Sequence, residues 1–296
     1  MNNHKWIMED FLIEPFLHSD DSQQYINTKE IDELLQIRPT ELFQSHKTMF
    51  NIIHLFTEGK GKLTVDFNTF DIEEGHILFI SQHQISQFHN PVNYKSKILI
   101  FTEDFFGKNV FQTQFFGQTH LFNDPLLLPY FDLGDRYEEV VSLFNFISTE
   151  LNRPYNEIQT TILNNYLFNI LLIVESLCER KDIKLVVNDE KLLVSKFKSI
   201  VNANLNWQYN LDYYTEKLNV GLRTLQNAFQ LTEKQTPKQW LIDRMILEIK
   251  RNLIYKEVGI SAIAYNLGFN EVTNFTKFFK SKTGLTPTQF RELSSW

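Results

Sequence analysis

The spacing of apolar residues changes once along this chain, and that change constrains the fold more than any other feature. Between Thr48 and Phe101, short segments rich in β-branched and aromatic residues are separated by turns that contain glycine, a pattern typical of an antiparallel sandwich or barrel. From residue 135 onward, apolar residues recur at helical spacing. A length of 296 residues corresponds to about two domains. The sequence therefore predicts an α+β chain of two domains, and the second domain is all helical.

The strand-rich part is predicted to cover 1–134. Its strands are predicted at Met49–Phe56, Lys62–Phe67, Ile77–Ile80 and Lys97–Phe101. The segment Glu58–Gly61 separates the first two strands. We expect it to form a hairpin turn, because glycine accepts the backbone angles that turns require.

A helical segment is predicted over 135–187. Pro154 suits the first turn of its second helix, which is predicted over Tyr155–Arg180. Apolar residues lie on two faces of that helix, so one face can cover the barrel and the other is left for a partner. Cys178 is the single cysteine of the chain. No intramolecular disulfide can form, which fits a reducing compartment.

Charge is distributed unevenly between the two parts. Residues 1–187 contain 14 Lys and Arg against 26 Asp and Glu, whereas residues 188–296 contain 15 against 10. A net charge of −7 over the whole chain argues against nucleic-acid binding, because that binding depends on neutralised phosphates. A part with charge −12 followed by a part with charge +5 instead indicates that the carboxy-terminal part is the nucleic-acid-binding end.

The stretch Gly259–Arg291 contains the most specific pattern in the chain. A short apolar helix is followed by Gly268, which can take a positive φ, and by a second helix near Glu271–Lys282. Three phenylalanines of the second helix are predicted to face inward, and its other face is polar or basic. The inward residues are Phe275, Phe278 and Phe279, and the outward ones are Thr273, Thr276, Lys277 and Lys280. This arrangement is typical of a helix-turn-helix, whose second helix enters the major groove of DNA.

These residues closely resemble the carboxy-terminal signature of the AraC/XylS family of transcription regulators. The matching residues are Ile260, Ile263-Ala264, Leu267-Gly268-Phe269, Phe275, Phe278-Phe279-Lys280, Thr283-Gly284, Pro287 and Arg291. The resemblance implies a second helix-turn-helix upstream and a long helix that joins the two units, all within 188–296. Leu211–Val220 and Leu222–Gln230 look like the upstream unit, and Trp240–Leu253 looks like the joining helix. In this unit Thr215 replaces the usual Ala, and Gln235 stands where Gly normally ends the recognition helix.

The resemblance also implies which residues contact DNA. Base-edge contacts are expected from Arg223, Gln226 and Asn227 in the first unit and from Val272, Thr273 and Lys277 in the second. Phosphate contacts are expected from Thr276, Lys280, Lys282 and Arg291, and Thr224 belongs to the same DNA-binding set. Arg pairs with guanine and Asn or Gln with adenine, whereas Val offers only apolar contact. The alternative for each Lys or Arg is that it is a hydrated residue on an exposed helix face and does not contact DNA.

The segment Phe50–Asn90 resembles the cupin-like sensor barrel of many members of this family. Enzymatic cupins hold a metal with histidines, but the corresponding positions here are Val65, Phe67 and Ser86. The sequence therefore predicts no metal, no cofactor and no catalytic site. A cupin enzyme fused to a DNA-binding module is a weaker alternative.

The contents of the barrel remain open between two interpretations. Phenylalanines crowd the segment after the last strand, at Phe105, Phe106, Phe111, Phe115 and Phe116. Aromatic residues usually form core, but they also line apolar pockets for small molecules. A small-molecule effector is the first hypothesis. A regulator that works without an effector, through dimerisation or partner proteins, is the alternative.

The partners predicted are double-stranded DNA and a second copy of the chain, bound through 135–180 as the resemblance implies. RNA polymerase and a small-molecule effector are further candidates. The opening segment Met1–Asp10 lacks the pattern of a signal peptide, and the longest apolar run, Leu167–Val174, is too short to span a bilayer. We therefore expect a cytoplasmic protein that does not contact a membrane.

Overall fold

The computed structural model describes residues 7–8, 11–14, 26–48, 50–82, 84–106, 112, 115–116, 119, 121–122, 129–177, 189–255 and 258–293. The chain divides into two compact units, with the main division between Val186 and Val187. The first unit contains a mainly antiparallel sheet with flanking helices, and the second is helical, which agrees with the predicted α+β fold class.

The first unit is built on strands that follow one another closely. They are β1 (Ile7–Met8), β2 (Phe11–Glu14), β3 (Ile26–Glu30), β4 (His46–Thr48), β5 (Asn51–Val65), β6 (Asn68–Glu73), β7 (His76–Ile80), β8 (Ile85–Phe88), β9 (Tyr94–Phe101) and β10 (Tyr130–Asp132). The helices of this unit are α1 (Ile31–Ile37), α2 (Glu103–Phe106), α3 (Tyr137–Leu151) and α4 (Gln159–Leu177). Single 3₁₀ turns lie at Glu41–Phe43 and Gly134–Arg136.

The prediction of a hairpin turn at Glu58–Gly61 is wrong. This segment does not reverse the chain but lies inside one strand of 15 residues. The first part of β5 pairs with β7 and β9, and the last part pairs with β6 and β8. An irregularity between Phe56 and Glu58 shifts the register there. The glycines therefore let one strand bend between two groups of partners, as β-bulges do.

Two glycines allow β9 to approach the bend closely. Gly59 has a φ of +78°, and a Cβ at this position would lie 2.2 Å from the carbonyl oxygen of Asn93. A Cβ at Gly61 would lie 2.4 Å from the ring of Tyr94. Side chains at these positions would separate the strands, so the sequence needs glycine for close packing rather than for a turn.

Neighbouring residues of β5 face two different cores, because side chains alternate along a strand. Ile53 and Leu55 pack with the helices α3 and α4, whereas Ile52 and Phe56 pack inside the barrel. The predicted core interpretation holds for Phe105, Phe106 and Phe115, which are buried in the helix-facing core. Phe111 lies outside the described residues.

Helix α4 starts later than the predicted helix Tyr155–Arg180. It begins at Gln159, because the Asn156 side chain accepts hydrogen bonds from the backbone N–H groups of Ile158 and Gln159 at 3.0 Å. Pro154 therefore lies before the helix rather than in its first turn. Cys178 lies outside the described residues. Within the described ranges, α4 is long and apolar enough to cross a membrane, but Leu167 and Leu171 are fully buried in the core of the unit.

The second unit contains the helices that were predicted for it. They are α5 (Asp189–Ala203), α6 (Leu211–Leu218), α7 (Leu222–Thr232), α8 (Pro237–Tyr255), α9 (Ile260–Asn266), α10 (Val272–Thr283) and α11 (Pro287–Leu293). Trp240, near the start of α8, is buried in a core with α5, α6 and α7. Ile249 and Leu253, near its end, are buried in a second core with α9 and α10. Helix α8 thus joins two small helical subdomains.

Alanine at Gly59 is expected to destabilise the protein more than alanine at Gly75. Both glycines have a left-handed φ, so each substitution costs about 1–2 kcal/mol in backbone strain. Only Gly59 also faces a backbone oxygen, whereas no described atom lies within 4 Å of a Cβ at Gly75. We expect the free energy of unfolding, measured with urea, to fall by about 3 kcal/mol or more for Gly59→Ala. Equal losses for the two variants would contradict this account of the bend.

Candidate DNA interface

The first helix-turn-helix is formed by α6 and α7. The Asn210 side chain caps α6 by accepting a hydrogen bond from Tyr213 N at 3.1 Å. Asn219 ends that helix with a φ of 54°, a conformation that Asn tolerates better than most residues. Thr215, which replaces the usual Ala, is buried and donates its hydroxyl hydrogen to Asp212 O at 3.0 Å. Its polar group is therefore satisfied inside the helix.

The end of α7 differs from the sequence interpretation. Gln235 was aligned with the family's helix-ending Gly, but the positive φ of 53° occurs at Lys234. The second helix-turn-helix, formed by α9 and α10, follows the predicted pattern. Gly268 has a φ of +86° in the turn, and Gly284 has a φ of +79° at the end of α10.

The predicted contact residues of α7 lie together on its outer face. Leu225, Ala228 and Phe229 are buried in the first subdomain. Four polar side chains are exposed, namely Arg223, Thr224, Gln226 and Asn227. This face offers guanidinium, hydroxyl and amide groups, which can pair with base edges in the major groove.

The predicted contact residues of α10 differ in their exposure. Thr273, Lys277, Lys280 and Lys282 are exposed, whereas Val272 and Thr276 are half-buried. Val272 packs against the core of the second subdomain together with Phe275. The exposed face of α10 is therefore more basic than that of α7.

Arg291 has partners inside the second unit. Its Nε donates to Leu253 O at 2.9 Å, and its Nη2 donates to Val258 O at 3.0 Å. These bonds tie α11 to the end of α8, where carbonyl groups lack helical partners. The guanidinium therefore stabilises the subdomain, a role that the sequence interpretation of Arg291 as a phosphate contact did not include.

A buried ionic network between α8 and α5 was not predicted from the sequence. Arg244 and Arg251 both donate to Glu248, at 3.0 and 3.3 Å, and Arg244 also donates to Asn202 of α5 at 2.7 Å. Lys198 pairs with Glu233 at 3.1 Å. Positions 244, 248 and 251 share one face of a helix, so the spacing could have revealed the network. Part of the positive charge of 188–296 is thus buried and not available to DNA.

The barrel contains a second candidate site, around two histidines. His46 Nδ1 lies 3.1 Å from Gln44 O, and its Nε2 lies 2.9 Å from Ser86 Oγ. Burial, and to a lesser degree the nearby His46, lowers the pKa of His54 to about 3. His54 Nδ1 is buried, and no described residue forms a hydrogen bond with it. Both side chains line a cavity of about 50 Å³ together with Phe50 and Phe88.

Two of the barrel positions that correspond to the metal ligands of enzymatic cupins lie in the core or bond to a neighbour. Val65 is fully buried in the barrel core, and Ser86 bonds to His46. Among the residues that the structure describes, no group of three or more His, Cys, Asp or Glu side chains could hold a metal ion.

Comparisons with known proteins agree with this division into a barrel and a helical domain. Residues 33–153 match the family model of an AraC-like ligand binding domain, and residues 214–293 match that of a helix-turn-helix domain. The Msm operon regulatory protein of Streptococcus mutans is 22% identical over 81% of this chain and 84% of its own length. The transcriptional activator RhaR of an Enterobacter species is 25% identical, over 36% of this chain and 38% of its own length.

One solved structure is similar to most of this chain. ToxT of Vibrio cholerae is 12% identical over 92% of this chain and 99% of its own, with a TM-score of 0.41. One family model lies in each unit, and the curated relatives include proteins named as transcription regulators. The chain belongs to the AraC/XylS family of transcription regulators.

Proposed function

We propose that this regulator binds a specific DNA sequence by placing α7 and α10 in two neighbouring segments of the major groove. The observation that supports this most directly is the pair of exposed polar faces on helices that are joined through α8. We assign base-edge contacts to Arg223, Gln226 and Asn227 on α7 and to Thr273 and Lys277 on α10. Thr224, Lys280 and Lys282 would bind phosphates, which position the protein without reading sequence.

Half-buried residues have a smaller part in this proposal. Val272 and Thr276 expose only part of their side chains, so each offers DNA a small contact. The side chain of Arg291 is bonded to two carbonyl groups. We assign it to the support of α11 rather than to the DNA contact.

Lys277→Ala and Lys280→Ala are expected to have different effects on DNA binding. Loss of Lys277 should weaken binding to the operator by about 1–3 kcal/mol and relax the preference for one base. Loss of Lys280 should weaken binding to all DNA alike and reduce the salt dependence by about one phosphate contact. Dissociation constants, measured by fluorescence anisotropy at several salt concentrations, distinguish the two effects.

The operator for this measurement comes from genomic footprinting of the wild-type protein. Lys196→Ala is the matched control, because Lys196 is exposed on α5 outside both recognition helices. An unchanged operator footprint for Lys277→Ala would count against the assignment of α10.

We further propose that the regulator is a homodimer formed through 135–180. Three apolar side chains near the link between α3 and α4 are exposed, namely Phe146, Tyr155 and Ile158. The Phe146 ring also lies 5.5 Å from the ring of Tyr166. One face of α4 packs into the core of the first unit, where Leu163 and Leu167 are buried. Exposed apolar side chains that gather into one patch are typical of a protein–protein contact.

Ile158→Glu is expected to convert the dimer to a monomer. Ile158 is 67% exposed, so the carboxylate is tolerated in the monomer but would be buried without a partner in the dimer. Sedimentation equilibrium at micromolar concentration measures the change. Ile37→Glu is the matched control, because Ile37 is 63% exposed on α1. A monomeric wild-type protein under these conditions would overturn the proposal.

Two features of the barrel favour different modes of regulation, one with a small-molecule effector and one without. His54 Nδ1 is buried at the cavity with no hydrogen-bond partner among the described residues, which favours an effector that supplies a hydrogen-bonding group. The volume of about 50 Å³ is well below the 300–1,000 Å³ of usual ligand pockets. It favours the alternative, in which side chains fill the barrel and regulation depends on dimerisation or on partner proteins.

Native mass spectrometry of the purified protein separates these two modes. If an effector occupies the cavity, the wild-type protein should carry a small molecule that His54→Phe lacks, because the phenyl ring fills the space and cannot form the hydrogen bond. One unliganded mass for both proteins would support regulation without an effector.

A further inference from the structure

The loop between α5 and α6 contacts the second subdomain, although it belongs to the first in sequence. The Trp207 ring stacks on the Phe269 ring, with centroids 4.4 Å apart and planes 14° apart. It also lies 4.5 Å from the ring of Phe278 on α10. In addition, Trp207 N donates a hydrogen bond to Leu267 O at 2.8 Å. Trp207 thus contacts both the turn and the recognition helix of the second helix-turn-helix.

The residues on either side of Trp207 contact the same turn. The Asn206 side chain lies directly against Gly268, where a Cβ would be 2.0 Å from Asn206 Oδ1. Gln208 Nε2 donates to Asn270 Oδ1 at 3.0 Å. The segment Asn206–Gln208, here called the clamp, therefore contacts four consecutive residues of the turn, 267–270.

The clamp is a second connection between the two recognition helices. Helix α8 is the first, but one helix can bend and its two ends can twist relative to each other. A second contact far from α8 in sequence restricts that motion. Trp207 remains 43% exposed, so its burial contributes less to a core than that of Trp240, which is fully buried.

We propose that the clamp fixes the distance and angle between α7 and α10, with Trp207 as the positioning residue. The regulator then accepts only operators in which the two groove segments have one spacing. One inserted base pair rotates the second segment by about 34–36° and moves it by about 3.4 Å, since a turn contains 10–10.5 base pairs. This inference rests on the proposed DNA-binding function.

The binding test uses the footprinted operator and versions with one base pair inserted or removed between the two groove segments. For the full-length wild-type protein, we expect each change in spacing to weaken binding on the order of tenfold or more. Trp207→Ala should bind the original operator less tightly and lose most of the difference between spacings. Trp207→Phe keeps an aromatic stack and should restore that difference. Tyr265→Ala is the control, because Tyr265 is a 57% exposed aromatic residue on α9 outside the clamp.

A structural role without positioning gives a different result. In that case Trp207→Ala would lower the thermal unfolding temperature and weaken binding to all spacings by the same factor, and the proposal would be overturned. An unchanged spacing preference would overturn it as well.

A measurement without DNA separates failure of the clamp from failure of the proposed function. Spin labels at Gln230→Cys and Ser281→Cys, in a Cys178→Ser background, report the distance between α7 and α10. We expect a narrow distance distribution with Trp207 and a broad one with Trp207→Ala. Equal widths would overturn the clamp whether or not the protein binds a specific operator.

Discussion

The DNA-binding unit depends on one helix that belongs to two hydrophobic cores. Trp240 anchors the start of α8 in the first subdomain, and Ile249 and Leu253 anchor its end in the second. Between them, Glu248 accepts hydrogen bonds from Arg244 and Arg251. Taking such charges out of water is costly, and removal of one partner would leave an uncompensated buried charge. The network therefore favours one arrangement of α8 against α5, through the bond between Arg244 and Asn202.

The buried ion pairs reduce the positive charge that 188–296 can present to DNA. Lys198, Arg244 and Arg251 contribute to the positive charge of 188–296, but all three are buried in ion pairs. The cations that remain exposed on α10, such as Lys277 and Lys280, are few. Because non-specific affinity depends on the number of phosphates neutralised, we expect the regulator to rely on two recognition helices and on the proposed dimer to bind its site.

The sequence predicted the second helix-turn-helix well, because Gly268 and the spaced phenylalanines specify a turn and an inward face through local chemistry. It failed at Glu58–Gly61, because glycine suits a hairpin and a bend within a strand equally well. The difference lies in the approach of Asn93 and Tyr94, which are distant in sequence. The contacts of Arg291 and Trp207 could not be predicted for the same reason, since their partners come from other helices or from the neighbouring subdomain.

The alternation along β5 has a consequence for how the barrel could communicate with the rest of its unit. His54 faces the cavity, while Ile53 and Leu55 on either side of it face α3 and α4. Peptide groups are planar, so a shift of the His54 backbone also displaces the peptide groups that it shares with Ile53 and Leu55. An occupant that displaces the His54 backbone would therefore also displace Ile53 and Leu55, on which the proposed dimer helices rest. The coupling between a ligand in the cavity and the proposed dimer helices would then pass directly through the backbone of β5 next to His54.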